Sequence, residues 1–350
     1  MDKSLRNSLI IGGFIASAIL TVCVPTDEDG KSGTSSDSTL VTSSENNRRV
    51  QDILQQELKD LSQTESGDNQ NVHVSTPIEG DPYEELNSLI GLESVKEEVN
   101  SLANFVRVQK QREARGLKTS SVSYHCVFTG NPGTGKTTVA RILARIYKDL
   151  GIVKKGHLVE TDRSGLIAEY VGQTAVKTNA VVDSALNGIL FIDEAYALLD
   201  GNGGYGDEAI ATLLKRMEDD RDRLVVIVAG YTNEMKRFID ANPGLQSRFT
   251  RYINFPDYSA DDLYKIFMTR INKYSYKLDA DAEKFLRNDL AQTVAHKSRN
   301  FGNARYVRNL FEKVITNQAN RLGNSQNLTA DELSQITLDD VTSACKTVTK

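Results

Sequence analysis

At 350 residues, 39% hydrophobic and 25% charged, the chain has an ordinary globular composition and room for two or three compact units. A formal charge of −5 and a pI near 5.6 give no general electrostatic pull toward nucleic acid. The three cysteines (Cys23, Cys126, Cys345) lie far apart without a C-x-x-C pair, and the four histidines are scattered. This argues against a disulfide framework and a thiolate zinc site, and fits a reducing compartment.

The chain opens on Lys3 and Arg6, then carries no charge until Asp27; residues 9–24 (LIIGGFIASAILTVCV) are almost wholly apolar. Sixteen helical residues reach about 24 Å, short of a hydrocarbon core of about 30 Å. The basic flank resembles a signal-peptide n-region or the cytoplasmic side of a membrane anchor. Residues 25–82 read as a flexible linker, rich in Ser, Thr, Gly and Asp at first. It is interrupted by a short amphipathic helix over 47–62, with Val50, Ile53, Leu54, Leu58 and Leu61 on one stripe.

From residue 83 strands and helices alternate. Strands are predicted at 122–129, 157–161, 188–193, 224–229 and 252–255, with helices at 92–113, 137–149, 174–187 and 207–217. Near-continuous apolar strands between helices imply a parallel sheet covered on both faces, an α/β core over 83–257. After Pro256 the pattern turns wholly helical, giving a helical subdomain over 258–350. Its start signals are Ser259 with Asp262, Thr329 with Glu332, and Thr337 with Asp340.

Gly130-Asn131-Pro132-Gly133-Thr134-Gly135-Lys136-Thr137-Thr138 sits between the first of these strands and a helix. That is the G-x-x-x-x-G-K-[ST] phosphate-binding loop in its strand–loop–helix setting. Glycines let the chain turn sharply and aim consecutive N–H groups at phosphate oxygens, and the following helix adds its positive end. Lys136 is expected to reach the β- and γ-phosphates of ATP, and the Thr137 hydroxyl to hold Mg²⁺.

The strand ILFI ends in Asp193-Glu194. A buried parallel strand delivers its last residues to the carboxyl edge of the sheet, where such sheets bind ligands. Asp193 is then expected near Mg²⁺, and Glu194 to polarise the water that attacks the γ-phosphate. This machinery needs ATP, so a short anchor or buried helix is preferred over a cleaved export signal at residues 1–24. The ATPase domain is expected to be cytoplasmic, with membrane contact through residues 9–24.

Several ordered motifs over residues 83–345 resemble the AAA+ ATPases of the CbxX/CfqX group, the rubisco-activase-like and sporulation-protein-K-like members. They are LIGLESVKEEV (89–99), GNPGTGKTT (130–138), DRSGLIAEYVGQTA (162–175), GILFIDEAYAL (188–198), VVIVAGYTNEM (225–235), NPGLQSRF (242–249), INFPDY (253–258) and FGNARYVRNLFE (301–312). The resemblance implies a P-loop AAA+ core followed by an α-helical lid. It implies that Asn233, with Thr232 as rival, orients the attacking water. Arg248, with Arg251 as rival, would be the arginine finger offered to a neighbouring subunit's nucleotide. Arg305 would be the lid's nucleotide sensor, Ile90-Gly91-Leu92 an adenine-packing segment, and Tyr170-Val171-Gly172 the pore loop that grips an extended chain.

The function implied is an ATP-hydrolysing ring, most simply a homohexamer, that remodels or threads a protein client whose identity the sequence does not give. The alternatives are an ATP-dependent assembly switch or membrane-tethered scaffold without threading, and a clamp-loader-type DNA-handling ATPase. The acidic balance argues against the last.

Overall fold

Strand β1 (Val72–Ser75) precedes helices α1 (Pro82–Ser88) and α2 (Glu93–Ala114). The core continues through β2 (Cys126–Gly130), α3 (Lys136–Asp149), β3 (Leu158–Thr161), α4 (Arg163–Leu166), α5 (Thr174–Ala185) and β4 (Gly188–Ile192). It closes with α6 (Tyr205–Asp219), β5 (Leu224–Gly230), α7 (Thr232–Asp240), α8 (Pro243–Arg248) and β6 (Arg251–Phe255). The lid comprises α9 (Ala260–Lys273), β7 (Lys277–Leu278), α10 (Ala280–Ala295), α11 (Asn303–Leu322), α12 (Ala330–Ser334), β8 (Gln335–Ile336) and α13 (Leu338–Thr347).

The computed structural model describes residues 71–75, 80–119, 123–168, 170, 172–199, 204–323 and 325–348. These belong to one unit, Asp68–Lys350; a separate unit, Met1–Gly67, lies outside the described residues. So do the apolar segment 9–24 and the helix expected over 47–62. No helix among the described residues is long and apolar enough to cross a membrane.

The six-stranded sheet has the order β1-β3-β4-β5-β2-β6. Every pairing is parallel except that of β1 with β3, which is antiparallel. Strand alternation divides the apolar residues between two layers. Phe128, Phe191, Val225 and Ile227 face one side, against Ile142, Leu143 and Ile146 of α3, and that layer continues into the lid through Leu263, Phe267 and Leu310. Val127, Leu190, Val226 and Val228 face the other, against Val182, Leu213, Met217 and Phe238. Phe128 packs tilted against Phe255 with ring centroids 5.0 Å apart, joining β2 to the edge strand β6.

The structure departs from the sequence reading in three places. Strand β1 falls in the stretch expected as linker, pairing His73 with Glu160 and Val74 with Val159. The lid is not wholly helical, because Lys277–Leu278 and Gln335–Ile336 pair as a short parallel ladder. The strand expected over 122–129 begins at Cys126, where pairing to both β5 and β6 starts. The lid's start signals hold: Ser259 with Asp262 and Thr329 with Glu332 form reciprocal capping boxes. Asp340 likewise accepts from the N–H and hydroxyl of Thr337, at 3.0 Å each.

Candidate nucleotide site

Strand β2 ends at Gly130, and the loop that follows turns back into α3. Gly133 has φ +70°, and a Cβ there would run into the Gly302 carbonyl and the Arg305 N–H, so only glycine lets the lid approach this closely. Gly135 (φ +95°) precedes α3 with no side-chain cap, which leaves the first N–H groups of a 14-residue helix free to face an anion. Thr134 is fully buried and its hydroxyl donates to the Asn131 carbonyl at 2.8 Å, holding the loop's shape from within.

The loop lines a cleft of about 410 Å³ at the carboxyl edge of the sheet. Pro132, Gly133, Gly135, Lys136, Thr137 and Thr138 form one wall, Asp193 and Glu194 another, and Arg305 closes the lid side. Lys136 Nζ donates to the carbonyls of Gly130 and Asn131, each at 2.9 Å. Burial pulls its ammonium below the ordinary lysine value; Asp193 and Glu194 oppose the effect and Arg305 adds to it, so all four charges share one field. Asp193 leaves β4 but stays tied to β3, its N–H donating to the Thr161 carbonyl at 2.8 Å. Glu194 adopts a left-handed φ of 49°, with its N–H on Asp193 Oδ1 at 3.0 Å. A non-glycine residue there costs on the order of 1 kcal/mol, and such strain collects at functional sites.

Five residues without a role in the sequence motifs also line this cleft: Gly230 at the end of β5, Tyr231 just after it, Arg270 of α9, and Ala304 and Arg308 of α11. Arg308 lies three residues after Arg305 on the same helical face, the one signal that could have found it. Asn131 and Thr134 do not line the cleft; Asn131 instead donates to Asp257 Oδ1 at 2.9 Å. Thr232 and Asn233 open α7 as exposed residues outside the lining, where Gly230 and Tyr231 stand instead. A smaller hollow of about 210 Å³ shares Asp193 and Glu194 and is bounded by Asn71 and His73, which β1 carries there.

Arg248 is remote from its own chain's cleft, at the end of α8 in a separate hollow with Ser123, His125 and Glu218. Its guanidinium is loosely held, 3.4 Å from both Glu218 Oε2 and the Gly244 carbonyl, and its buried Nε has no hydrogen-bond partner. Arg251, half-buried at the start of β6, has its guanidinium 5.4 Å from the Phe105 ring centre, and its buried Nε likewise has no hydrogen-bond partner. Tyr170 is 67% exposed, ahead of α5, and Gly172 beside it has φ +79°. Val171 lies outside the described residues.

His125, buried against Phe249, supports the Arg248 loop: its Nδ1 accepts from the Val226 N–H at 2.9 Å, which requires a neutral ring. Burial, reinforced by Arg248, pushes it down to about 4. The unfolded chain takes up this proton near pH 6.5 and the folded one only near 4. Stability from this site is therefore complete above about pH 6.5 and is lost progressively as pH falls toward 4, by on the order of 3 kcal/mol. Thermal melts from pH 7.5 to 4.5 should show a steeper fall for the parent than for His125→Gln, and equal slopes would refute the assignment.

Residues 126–257 match the family described as ATPase family associated with various cellular activities (AAA), and residues 259–350 match the AAA lid domain. Stage V sporulation protein K of Bacillus subtilis is 43% identical over 240 residues, 68% of this chain and 74% of the relative. Protein CbxX of Cupriavidus necator is 43% identical over 257 residues, 72% of this chain and 80% of that one. The ESX-3 secretion system protein EccA3 of Mycolicibacterium smegmatis is 44% identical over 276 residues, but this chain spans only 45% of its length. Among solved structures, the FIGL-1 AAA domain superposes with a TM-score of 0.56 at 18% identity, covering 80% of this chain and 86% of that one. With its core and lid both matched and relatives aligned across most of their length, the chain belongs to the AAA ATPase family, in the group of CbxX and stage V sporulation protein K, and is an ATPase.

Proposed function

We propose that the chain is the subunit of a homo-oligomeric ring, most simply a hexamer, that spends ATP hydrolysis on remodelling or threading a protein client. The cleft fits a magnesium-bound nucleotide: a glycine turn that admits no Cβ at Gly133, the uncapped start of α3, and Lys136 facing an acid pair. Lys136 and the loop N–H groups would hold the β- and γ-phosphates, with Thr137 and Asp193 holding Mg²⁺, which neutralises phosphate charge when bound. Glu194 would take the proton of the attacking water. Arg305 would read the γ-phosphate from the lid, while Tyr231, Thr232 and Asn233 compete for the water-orienting role at the end of β5.

The observation that carries the ring is the separation of Arg248 from its own cleft, with a guanidinium N–H that lacks an acceptor. A finger that serves the next subunit's nucleotide makes a heterologous contact, and repetition of that contact closes a ring. Threading is supported by Tyr170, a largely exposed aromatic beside a glycine, which can grip a chain through undirected apolar contact. The relatives are named for sporulation and secretion, settings compatible with a cytoplasmic ATPase that acts on protein assemblies.

The experiment begins with capture of the client by a Glu194→Gln variant loaded with ATP. Tyr170→Ala should then abolish remodelling of that client while ATP turnover without client persists. Unchanged remodelling by Tyr170→Ala would sink the pulling model in favour of a nucleotide-dependent assembly switch.

A further inference from the structure

Beside the cleft, three separate stretches of chain meet at one buried polar point: the phosphate loop, the crossing from β6 into the lid, and the first residue of α11. Asn303 stands at their centre, 0% exposed and in the left-handed region at φ +48°. Its Oδ1 accepts from the Tyr258 N–H at 2.9 Å. Its Nδ2 donates to Asp257 Oδ1 at 2.8 Å and the Phe301 carbonyl at 2.9 Å, with the Pro132 carbonyl of the phosphate loop at 3.3 Å. Asp257 Oδ1 also accepts from Asn131 Nδ2 at 2.9 Å, and its Oδ2 meets Lys297 Nζ at 2.7 Å. Backbone follows side chain, for the Ala304 N–H donates to the Gly133 carbonyl at 3.1 Å.

A fully buried carboxamide is desolvated at a cost that only directed hydrogen bonds offset, and asparagine is one of the few residues with a Cβ that tolerates this left-handed backbone. What the carboxamide adds is direction. Through it the start of α11 is tied to the phosphate loop and, by way of Asp257 and Tyr258, to the crossing that carries the chain into the lid. Arg305, two residues along, therefore enters the cleft from a fixed origin, while the far end of the lid is not tied to this point.

We propose that the Asn303–Asp257 pair is the pivot of the lid, holding the start of α11 against the phosphate loop so that lid motion swings Arg305 about a fixed point. Both are positioning residues that act through Arg305, and the proposal rests on reading the cleft as the nucleotide site. A plain structural cap would make the same hydrogen bonds but would not act through Arg305, and that difference can be measured.

In the full chain, Asn303→Gly keeps the left-handed backbone and deletes only the carboxamide. It should lower kcat for ATP about tenfold while leaving KM within about threefold, the pattern of a lost transition-state contact. Arg305→Ala should do the same. The double variant should fall about tenfold rather than a hundredfold, because two changes acting through one side chain are not additive. Asp257→Ala should reproduce the loss without touching α11, and the conservative Asp257→Asn, which retains an acceptor for Asn131 and Asn303, should stay within about threefold of the parent. A hundredfold loss in the double variant, or parent kcat in both Asn303→Gly and Asp257→Ala, would overturn the pivot. Failure of the underlying site would look different: Lys136→Ala would then bind a fluorescent ADP as tightly as the parent.

Discussion

A Glu194→Gln variant should bind ATP as tightly as the parent and hydrolyse it at least about a hundredfold more slowly, the usual contribution of a positioned general base. The side chain stands where β4 releases the chain, on a backbone held left-handed and anchored by its own N–H to Asp193 Oδ1. Glutamine keeps the length, the planar head and that backbone anchor, and removes the negative charge together with the capacity to take a proton from water. The effect should therefore appear in kcat for phosphate release, with affinity for ATP by calorimetry changed less than about threefold. Lys136→Ala provides the contrast. Its ammonium lies against the loop carbonyls inside the cleft, so its removal should weaken binding itself. Loss of ATP affinity in Glu194→Gln would instead mean that this carboxylate holds the nucleotide or its metal and does not activate water.

The features legible in the sequence were those whose chemistry forces a local pattern. A phosphate loop must carry glycine where a Cβ would strike the lid, as at Gly133, and a parallel strand that ends in acids must be apolar up to its edge, as in β4. Capping boxes are equally local, and the structure contains those at Ser259 and Thr329. Strand β1 was not legible because an edge strand of four residues buries little: none of its side chains is fully buried and Val74 is 58% exposed, so its polar surroundings dominate the pattern. The ladder of Lys277–Leu278 with Gln335–Ile336 is too short for any period to show. Arg270 and Arg308 read as ordinary charges on amphipathic helices, and only the folding of α9 and α11 over the cleft gives them a common target. Asp257 and Asn303 are 46 residues apart, and what pairs them is the return of the chain through the lid.

Arg248→Ala should lower ATP hydrolysis by roughly 10³-fold or more, the range found where an arginine supplied in trans is removed from other nucleotide hydrolases. The stronger test is complementation, because the defect would lie in a neighbour's site. An Arg248→Ala subunit retains Glu194 and its cleft but lacks the finger for the next subunit. A Glu194→Gln subunit has a silent cleft and an intact finger. In an equal random mixture half of all clefts retain Glu194, and half of those face an intact Arg248, so about a quarter of the parent rate should return. A finger working within its own chain would leave the mixture silent, since no subunit would then hold both groups. Arg251→Ala is the internal control. Its side chain lies over Phe105 and its backbone is paired with Cys126 within its own subunit. Its removal should lower the melting temperature more than the turnover rate. Recovery with Arg251→Ala in the mixture, and none with Arg248→Ala, would transfer the trans role to Arg251 and leave Arg248 as a support for the loop over His125.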